Sequence, residues 1–317
     1  MLSVVPMLLD RRLLFVTGKG GVGKTTIAAS LAQLAAREGR RVLVCEMDAK
    51  GSLAAAFEAG SFSFRPTEVE PGLFGMSMNT EDALREYLRL FVRIPLVSRI
   101  GPLARVFDFV ADAAPGVKEI LSIGKLAYEV RERHYDLVVV DAEASGHIVG
   151  QINAPSAIND LVQVGLVREQ TGWMLELLED SATTGLVVVT TPEEMPVTET
   201  VELVARVRTE TNVDVAAVIA NRVLPEPFGH GEAEVFERID EIGRPVLVER
   251  IGPVVATVLD AARLAVRLRR TGAEHLGRMR EGLPAGMPVL YVPELFARSG
   301  GRRAVELVAT ALGEELI

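Results

Sequence analysis

Short apolar runs rich in β-branched residues alternate along the chain with longer segments in which apolar residues recur every three or four positions. Such runs predict buried strands, and the spacing between them predicts helices that cover a sheet. We expect strands at 13–17, 41–46, 72–78, 137–141, 185–190, 215–220 and 289–292. A helix is expected at Lys24–Arg37, with Ile27, Leu31 and Leu34 on one face. This order predicts an α/β fold with a mostly parallel, doubly wound sheet.

Two segments are too long for simple crossovers between parallel strands. We expect them to form a helical insertion subdomain, at about 80–133 plus 156–182, within one domain that spans 1–317. Apolar residues are more abundant there than one narrow helical stripe needs. Two interpretations stay open: the helices pack on one another, or they form an exposed groove for the apolar helix of a protein client.

Composition narrows the class of protein. The 317 residues include 34 basic and 43 acidic side chains, a net charge of −9 that argues against general nucleic-acid binding. No stretch approaches the roughly 18 apolar residues of a membrane span. The first residues lack the basic start of a secretory signal, and the single cysteine, Cys45, permits no internal disulfide. A cytoplasmic location is therefore expected.

A glycine-rich motif follows the first predicted strand and precedes the first helix. In this context the G-x-x-x-x-G-K-[ST] pattern predicts a phosphate-binding loop, because its backbone N–H groups and the helix N-terminus converge on one anion. Lys24 is expected to hold the β- and γ-phosphates, and Thr25 to ligate Mg²⁺. The cofactors expected are thus ATP or ADP with Mg²⁺. The residues expected to bind the nucleotide here are Gly18, Lys19, Gly20, Gly21, Val22, Gly23, Lys24, Thr25 and Thr26.

Two carboxylates end predicted strands. Asp48 follows the second strand, and we expect it to orient the attacking water and to approach the metal. Asp141 ends the run Leu137–Asp141, a Walker B pattern that delivers a carboxylate to the metal. Thr25, Asp48 and Asp141 are therefore the expected metal residues, and Lys19, Lys24 and Asp48 the catalytic ones.

The loop resembles the deviant Walker A loop of the class that contains MinD, ParA and the nitrogenase iron protein. The resemblance rests on Lys19, an additional lysine directly after the first glycine of the motif. In that class this lysine reaches across a dimer interface to the partner's nucleotide. The resemblance implies that ATP lies between two facing subunits.

Further segments are similar to the ArsA family, which contains the arsenite-pump ATPase and the ATPase that delivers tail-anchored proteins. The run from Asp141 to His147 is similar to its switch II motif D-T-A-P-T-G-H, and Asp141, Gly146 and His147 match. Segment 115–119 resembles its P-G-x-x-E segment. Asn221 lies at the position where the family has an asparagine that contacts adenine. Residues Pro293, Glu294 and Leu295 resemble its adenine-side loop.

The chain departs from that family pattern at three places. After Asp48 the switch I motif is atypical, which implies slow hydrolysis. One cysteine cannot build a thiolate site for arsenite. No C-x-x-C pair follows Asn221, so no structural zinc is expected, and His230 is interpreted as a loop residue.

The resemblance implies an ArsA-like ATPase that switches helical subdomains between open and closed states for protein targeting or assembly. The partner would be a second copy or a paralogous ATPase, as a homodimer or heterodimer. Two alternatives stay open. One is a MinD- or ParA-like positioning ATPase that uses the basic helix with Arg263, Arg267, Arg269, Arg270, Arg278 and Arg280. The other is a nucleotide-binding scaffold that does not hydrolyse ATP.

Overall fold

The computed structural model describes residues 8–92, 116–161, 165–229, 231–296 and 300–316. Its strands form one sheet in the order β3-β4-β2-β5-β1-β6-β7-β8, parallel throughout except for β3 beside β4. The strands are β1 (Leu13–Gly18), β2 (Val42–Glu46), β3 (Thr67–Glu70), β4 (Leu73–Ser77), β5 (Leu137–Asp141), β6 (Thr184–Thr190), β7 (Val215–Val223) and β8 (Val289–Pro293). The predicted mostly parallel sheet is confirmed.

Helices cover both faces of this sheet. They are α1 (Lys24–Arg37), α2 (Ser52–Ala56), α3 (Thr80–Tyr87), α4 (Val117–Arg131), α5 (Ser145–Leu161), α6 (Leu166–Glu179), α7 (Glu194–Glu210), α8 (Glu232–Arg238), α9 (Arg244–Ile251), α10 (Val254–Gly282) and α11 (Gly301–Glu315). π-helical turns continue α3 over Leu88–Val92 and α8 over Ile239–Gly243. Within the described ranges every helix is too short or too polar to serve as a membrane span.

The buried strands divide their side chains between two cores because successive residues of a strand point to opposite faces. In β1, Leu14 and Val16 face the core under α1, α2 and α11, whereas Leu13 and Phe15 face the core under α4, α5, α6 and α7. Both sets are fully buried, so the phosphate loop extends from a strand that is packed on each side.

The predicted helical insertion falls partly within the described residues. Helices α3, α4, α5 and α6 pack on one another above one face of the sheet. Asn79 begins α3, because its side chain accepts a hydrogen bond from the backbone N–H of Asp82 at 3.0 Å. Residues 93–115, which carry most of the apolar positions counted from the sequence, lie outside the described residues. The proposed subdomain boundaries therefore stay a prediction.

Candidate nucleotide site

The phosphate loop turns tightly at glycines that have no room for a side chain. A Cβ at Gly18 (φ 144°) would collide with the carbonyl oxygen of Val189 in the neighbouring strand β6. A Cβ at Gly23 (φ 97°) would collide with the amide of Asn221. Gly21 also has a positive φ of 89°, but nothing lies within 4 Å of where its Cβ would be. The loop is thus packed against the protein at its ends and open in its middle, as a phosphate cradle requires.

Lys24 begins α1 directly above this loop. Its Nζ donates a hydrogen bond to the carbonyl oxygen of Lys19 at 3.3 Å, which folds the side chain back over the loop. Burial lowers the pKa of Lys24 from its usual value, and the nearby charge of Lys50 adds to this effect while Asp141 and Asp48 oppose it. A partly desolvated ammonium beside several backbone N–H groups is an anion-binding arrangement.

Thr25 and Asp141 lie in direct contact, although 116 residues separate them. The Thr25 hydroxyl donates a hydrogen bond to Asp141 Oδ2 at 2.6 Å. This contact exists because β5 pairs with β1, in a register that places Asp141 opposite Val16 near the carboxyl end of both strands. Two of the three residues expected to serve the metal are therefore in contact.

Burial raises the pKa of Asp141 to about 6, and the Thr25 hydrogen bond and the Lys24 charge offset only part of that rise. A buried carboxylate beside a hydroxyl presents the oxygen ligands that Mg²⁺ prefers, and a positive ion would relieve its uncompensated charge. In the described part of the chain no three His, Cys, Asp or Glu side chains cluster as a self-contained metal site. A site completed by phosphate and water oxygens fits Mg²⁺ better than one built from protein ligands alone.

Asp48 lies at the carboxyl end of β2, as predicted, but it contacts neither Thr25 nor Asp141 by a hydrogen bond in this structure. Its carboxylate forms an ion pair with Lys50, and both side chains are more than half exposed. The loop that carries them has positive φ at Ala49 (37°) and Gly51 (77°). The charge of Asp48 raises the pKa of both Lys24 and Asp141, so its carboxylate lies near both groups. Its catalytic and metal roles stay predictions.

Glu46 holds this loop, and sequence reasoning missed it. Its buried carboxylate accepts hydrogen bonds from the backbone N–H groups of Gly51 (3.0 Å), Ser52 (2.8 Å) and Leu53 (3.3 Å). These groups begin α2, so Glu46 caps the helix from the end of β2 and compensates its own charge there. A glutamate at the end of an apolar run, six residues before a helix start, is the available signal, but it matches no named motif.

Lys19 is paired within its own chain. Its Nζ forms an ion pair with Oε1 of Glu199 in α7, and Oε2 of the same carboxylate accepts a hydrogen bond from the Ser145 hydroxyl at 3.4 Å. Glu199 thus joins the additional lysine of the loop to the first residue of α5. No pattern around Glu199 predicts this, because 180 residues separate it from Lys19.

The predicted switch II residues Gly146 and His147 lie in the first turn of α5, and both are exposed. The backbone N–H of His147 donates to the carbonyl oxygen of Ala144 at 2.9 Å. Thr17, at the end of β1, donates a side-chain hydrogen bond to the carbonyl oxygen of Glu143 at 2.8 Å. This segment is therefore attached to the strand before the phosphate loop. The roles of Gly146 and His147 stay predictions.

The residues expected around adenine surround a cavity beside the loop. Asn221 is buried, and its Nδ2 donates to the carbonyl oxygen of Val22 at 2.8 Å, so it ties β7 to the phosphate loop. The loop after β8 is held by a hydrogen bond from the N–H of Glu294 to the carbonyl oxygen of Val223 at 2.9 Å. The cavity has a volume of about 540 Å³, and its lining includes Gly23, Thr25, Thr26, Asn221, Pro293, Glu294, Leu295 and Val308.

The sequence profile of anion-transporting ATPases, the ArsA family, matches residues 11–178 and 166–251. The chain belongs to this family. The expectation of an α/β P-loop fold in an ArsA-family ATPase is thereby confirmed. Segment 292–295 lies beyond the matched residues. His230 and the first residue of segment 115–119 lie outside the described residues.

Relatives carry several different names. The chain is 32% identical to the ATPase BagA of Mycobacterium tuberculosis over 225 residues, 68% of this chain and 66% of that protein. It is 27% identical to a putative arsenical pump-driving ATPase of Halobacterium salinarum over 258 residues, 73% of this chain and 40% of that protein. It is 26% identical to an ATPase ASNA1 homolog of Entamoeba dispar over 254 residues, which are 67% of this chain and 76% of that protein. The chain thus spans just under two thirds of its mycobacterial relative.

Proposed function

We propose that the chain binds MgATP on the phosphate loop and hydrolyses it. The observation that carries this proposal is the contact of Thr25 with Asp141 beneath a loop that Lys24 covers. Lys24 would bind the terminal phosphates, and Thr25 and Asp141 would hold Mg²⁺, which supplies charge neutralisation to the transferring phosphoryl group. The family relationship supports this assignment.

The adenine base would occupy the cavity beside the loop. Pro293 and Leu295 offer apolar contact, and Asn221 offers an amide within the same cavity. Because Asn221 already donates to the carbonyl oxygen of Val22, base binding and loop geometry would be linked through one side chain.

Asp48 is our candidate for orienting the attacking water. In this structure its carboxylate is engaged by Lys50, so hydrolysis requires that the pair opens or that Lys50 moves with it. The scaffold alternative, tight ATP binding without turnover, is tested by measuring phosphate release. Release that depends on Asp48 supports the ATPase, and tight binding without release supports the scaffold.

We propose that two chains, identical or paralogous, face each other across the nucleotides. Lys19 would then exchange Glu199 of its own chain for the partner's nucleotide, as its resemblance to the deviant Walker A class implies. Glu199 also accepts a hydrogen bond from Ser145 at the start of α5, so its release from Lys19 would change the charge beside the helix that carries the switch II residues. Such exchange of ion pairs is a two-state element of the kind that nucleotide switches use.

Light scattering with and without MgATP tests this arrangement. We expect Lys19→Ala to lose ATP-dependent association and Glu199→Gln to associate at lower ATP concentration, because the competing ion pair is gone. Lys50→Ala is the matched control, since Lys50 is an exposed lysine beside the same site. Unchanged ATP-dependent association of Lys19→Ala would remove the proposal of a shared site.

The cytoplasmic targeting role expected from the sequence has one structural support. A cavity of about 320 Å³ opens between α3, α4, α5 and α6 and is lined mainly by apolar side chains, among them Leu84, Leu90, Val117, Ile120 and Met174. Lys125 lies at its wall, paired with Glu86 at 2.7 Å and Glu129 at 2.5 Å. We propose that the apolar helix of a protein client binds along these helices.

A labelled peptide with a single apolar helix tests client binding. We expect Ile120→Asp to weaken peptide binding at least tenfold and Ile120→Leu to preserve it, because the side chain lines the cavity. ATP affinity should be equal in both variants. Equal peptide binding by wild type and Ile120→Asp would exclude this cavity as the client site.

A further inference from the structure

Arg222 has an unusual backbone conformation near the end of strand β7. Its φ of 59° lies in the left-handed region, which arginine rarely adopts. In the described ranges three other non-glycine residues have positive φ. Glu58 and Arg133 directly follow the ends of helices, where this conformation is common, and Ala49 lies in the loop with Asp48. Arg222 ends no helix, so helix termination does not account for its conformation.

A bulge in β7 accompanies this bend. Between the pairs Ala220–Tyr291 and Val223–Pro293, β7 advances by three residues and β8 by two, so β7 carries one additional residue. Bulges are rare between parallel strands, and beside functional sites they re-aim a side chain. The bulge therefore takes Arg222 out of the regular alternation of the strand.

The side chain of Asn221 holds the bend from inside the protein. Its Oδ1 accepts a hydrogen bond from the backbone N–H of Arg222 at 3.0 Å, and its Nδ2 donates to the carbonyl oxygen of Val22 at 2.8 Å. One buried side chain thus ties the backbone of Arg222 to the phosphate loop. Strained residues persist only where their surroundings over-determine them, and they cluster at sites that hold ligands.

The side chain of Arg222 lines the cavity beside the phosphate loop, together with Pro293 and Leu295. Arg222 is exposed, and it forms no ion pair with a carboxylate in the part of the chain that the structure describes. Its guanidinium is therefore available to a molecule in this cavity. A guanidinium is planar and weakly hydrated, so it stacks on aromatic rings.

We propose that Arg222 recognises the base of the nucleotide by placing its guanidinium plane against the ring. This inference rests on the proposed function, because it requires a nucleotide in the cavity. Pro293 and Leu295 supply apolar contact from the loop after β8, and Arg222 supplies a cationic plane from β7. Contact with a ring face grows with the area of the ring, so the site favours purine over pyrimidine nucleotides.

The phosphates are the other part of a nucleotide that an arginine binds. The phosphate loop already offers them backbone N–H groups and the ammonium of Lys24. The two kinds of contact also differ in what they require. A phosphate needs positive charge, which a lysine supplies as well, whereas a base needs the planar group. Comparison of arginine with lysine, and of ATP with inorganic tripolyphosphate, therefore separates them.

Titration calorimetry with ATP, CTP and tripolyphosphate, each with Mg²⁺, tests the proposal. We expect Arg222→Ala to weaken ATP binding roughly 5- to 20-fold, to weaken CTP binding less, and to leave tripolyphosphate binding within about twofold. Arg222→Lys should lose nearly as much ATP affinity, because an ammonium has no plane. The matched control is Arg208→Ala, which removes an exposed arginine from the last turn of α7 and should bind ATP as the wild type does.

Unchanged ATP affinity in Arg222→Ala would overturn the proposal. Equal losses of ATP and tripolyphosphate affinity, or full ATP affinity in Arg222→Lys, would also overturn it, because they would assign Arg222 to the phosphates. Failure of the proposed function is distinguishable from these results. In that case the wild type itself would bind neither ATP nor tripolyphosphate, and both proposals would fall.

Arg222→Gly separates the side chain from the backbone bend. Glycine adopts a φ of 59° without strain and alanine does not, so Arg222→Gly should unfold about 1–3 °C above Arg222→Ala. The two variants should lose the same ATP affinity, because both lack the guanidinium. Wild-type ATP affinity in Arg222→Gly would mean that the bend, and not the side chain, determines binding, and the proposal would be wrong.

Discussion

The phosphate loop and the loop after β2 both follow fully buried strands at the same edge of the sheet, yet the structure holds them differently. The phosphate loop is attached at both ends, by the close approach of Gly18 to β6 and by the Asn221 hydrogen bond to Val22. The loop with Asp48 is exposed, bends through positive φ at Ala49, and depends on Glu46 for its anchoring. The half of the site proposed to bind phosphate is preorganised by the fold, whereas the half proposed to direct water is exposed and is anchored mainly where α2 begins.

Lys24→Ala breaks the preorganised half and has the largest expected effect. Loss of a charge-assisted contact to the phosphates should reduce ATP affinity by at least about 100-fold. Titration calorimetry measures this directly. The control is Lys50→Ala, which removes an exposed lysine from the other loop and should change affinity by less than about threefold. Retained ATP affinity in Lys24→Ala would contradict the phosphate-loop assignment.

Asp48→Asn tests the loop after β2, the half of the site proposed to direct water. We expect phosphate release to fall by about 100-fold or more, because a group that orients or activates water contributes on that order. ATP affinity should stay within about threefold, since Asp48 is exposed and makes no hydrogen bond to Lys24 or Thr25. Equal losses of ATP affinity and hydrolysis would show that phosphate binding and water orientation are not divided between the two loops.

Asp141→Asn tests how the buried carboxylate of the phosphate-loop half changes stability with pH. Burial raises the pKa of Asp141 to about 6, so between pH 4 and 6 the folded chain binds a proton more readily than the unfolded chain. The ionised carboxylate therefore costs stability above pH 6, and this cost disappears as the pH falls towards 4. The variant should increase the free energy of unfolding of the nucleotide-free protein by on the order of 2 kcal/mol at pH 7.5.

Urea unfolding at pH 7.5 and at about pH 4 measures the difference. We expect the increase in the free energy of unfolding caused by Asp141→Asn to be smaller at the lower pH. In a separate ATP titration of the variant, added Mg²⁺ should no longer strengthen ATP binding at either pH. A gain that is independent of pH would mean that the buried carboxylate is compensated in some other way.

Glu46→Ala has the smallest expected effect and tests what anchors the exposed loop. Removing the cap of α2 should lower the free energy of unfolding by about 1–2 kcal/mol, because three backbone N–H groups at the start of the helix lose their acceptor. Glu46→Gln keeps one carbonyl acceptor and should lower the free energy of unfolding by less. Hydrolysis should fall more than ATP affinity in both variants. An equal loss in ATP affinity would indicate that Glu46 supports the phosphate loop as well.

Much of the fold follows from local pattern. All seven predicted strands are present, and the first helix begins and ends at Lys24 and Arg37 as expected. Strand β3 was missed because Thr67–Glu70 is a polar, largely exposed edge strand, so no buried face imposes an apolar alternation on it. The candidate residues of the nucleotide site were predicted from two short patterns. One is the glycine-rich motif, and the other is the carboxylate at the end of a buried strand.

The phosphate loop, the strand-end carboxylates and the family can be predicted from sequence alone, because each depends on residues that are neighbours along the chain. The distant groups that contact them depend on the tertiary structure. Glu199 reaches Lys19 because α7 packs beside β1, and Asn221 reaches Val22 because β7 ends at the same edge of the sheet. Likewise, the period of α10 predicts an apolar face, but only packing decides that this face is buried beyond Gly272 and exposed before it. Periodicity is a local property, whereas burial depends on what the rest of the chain brings alongside.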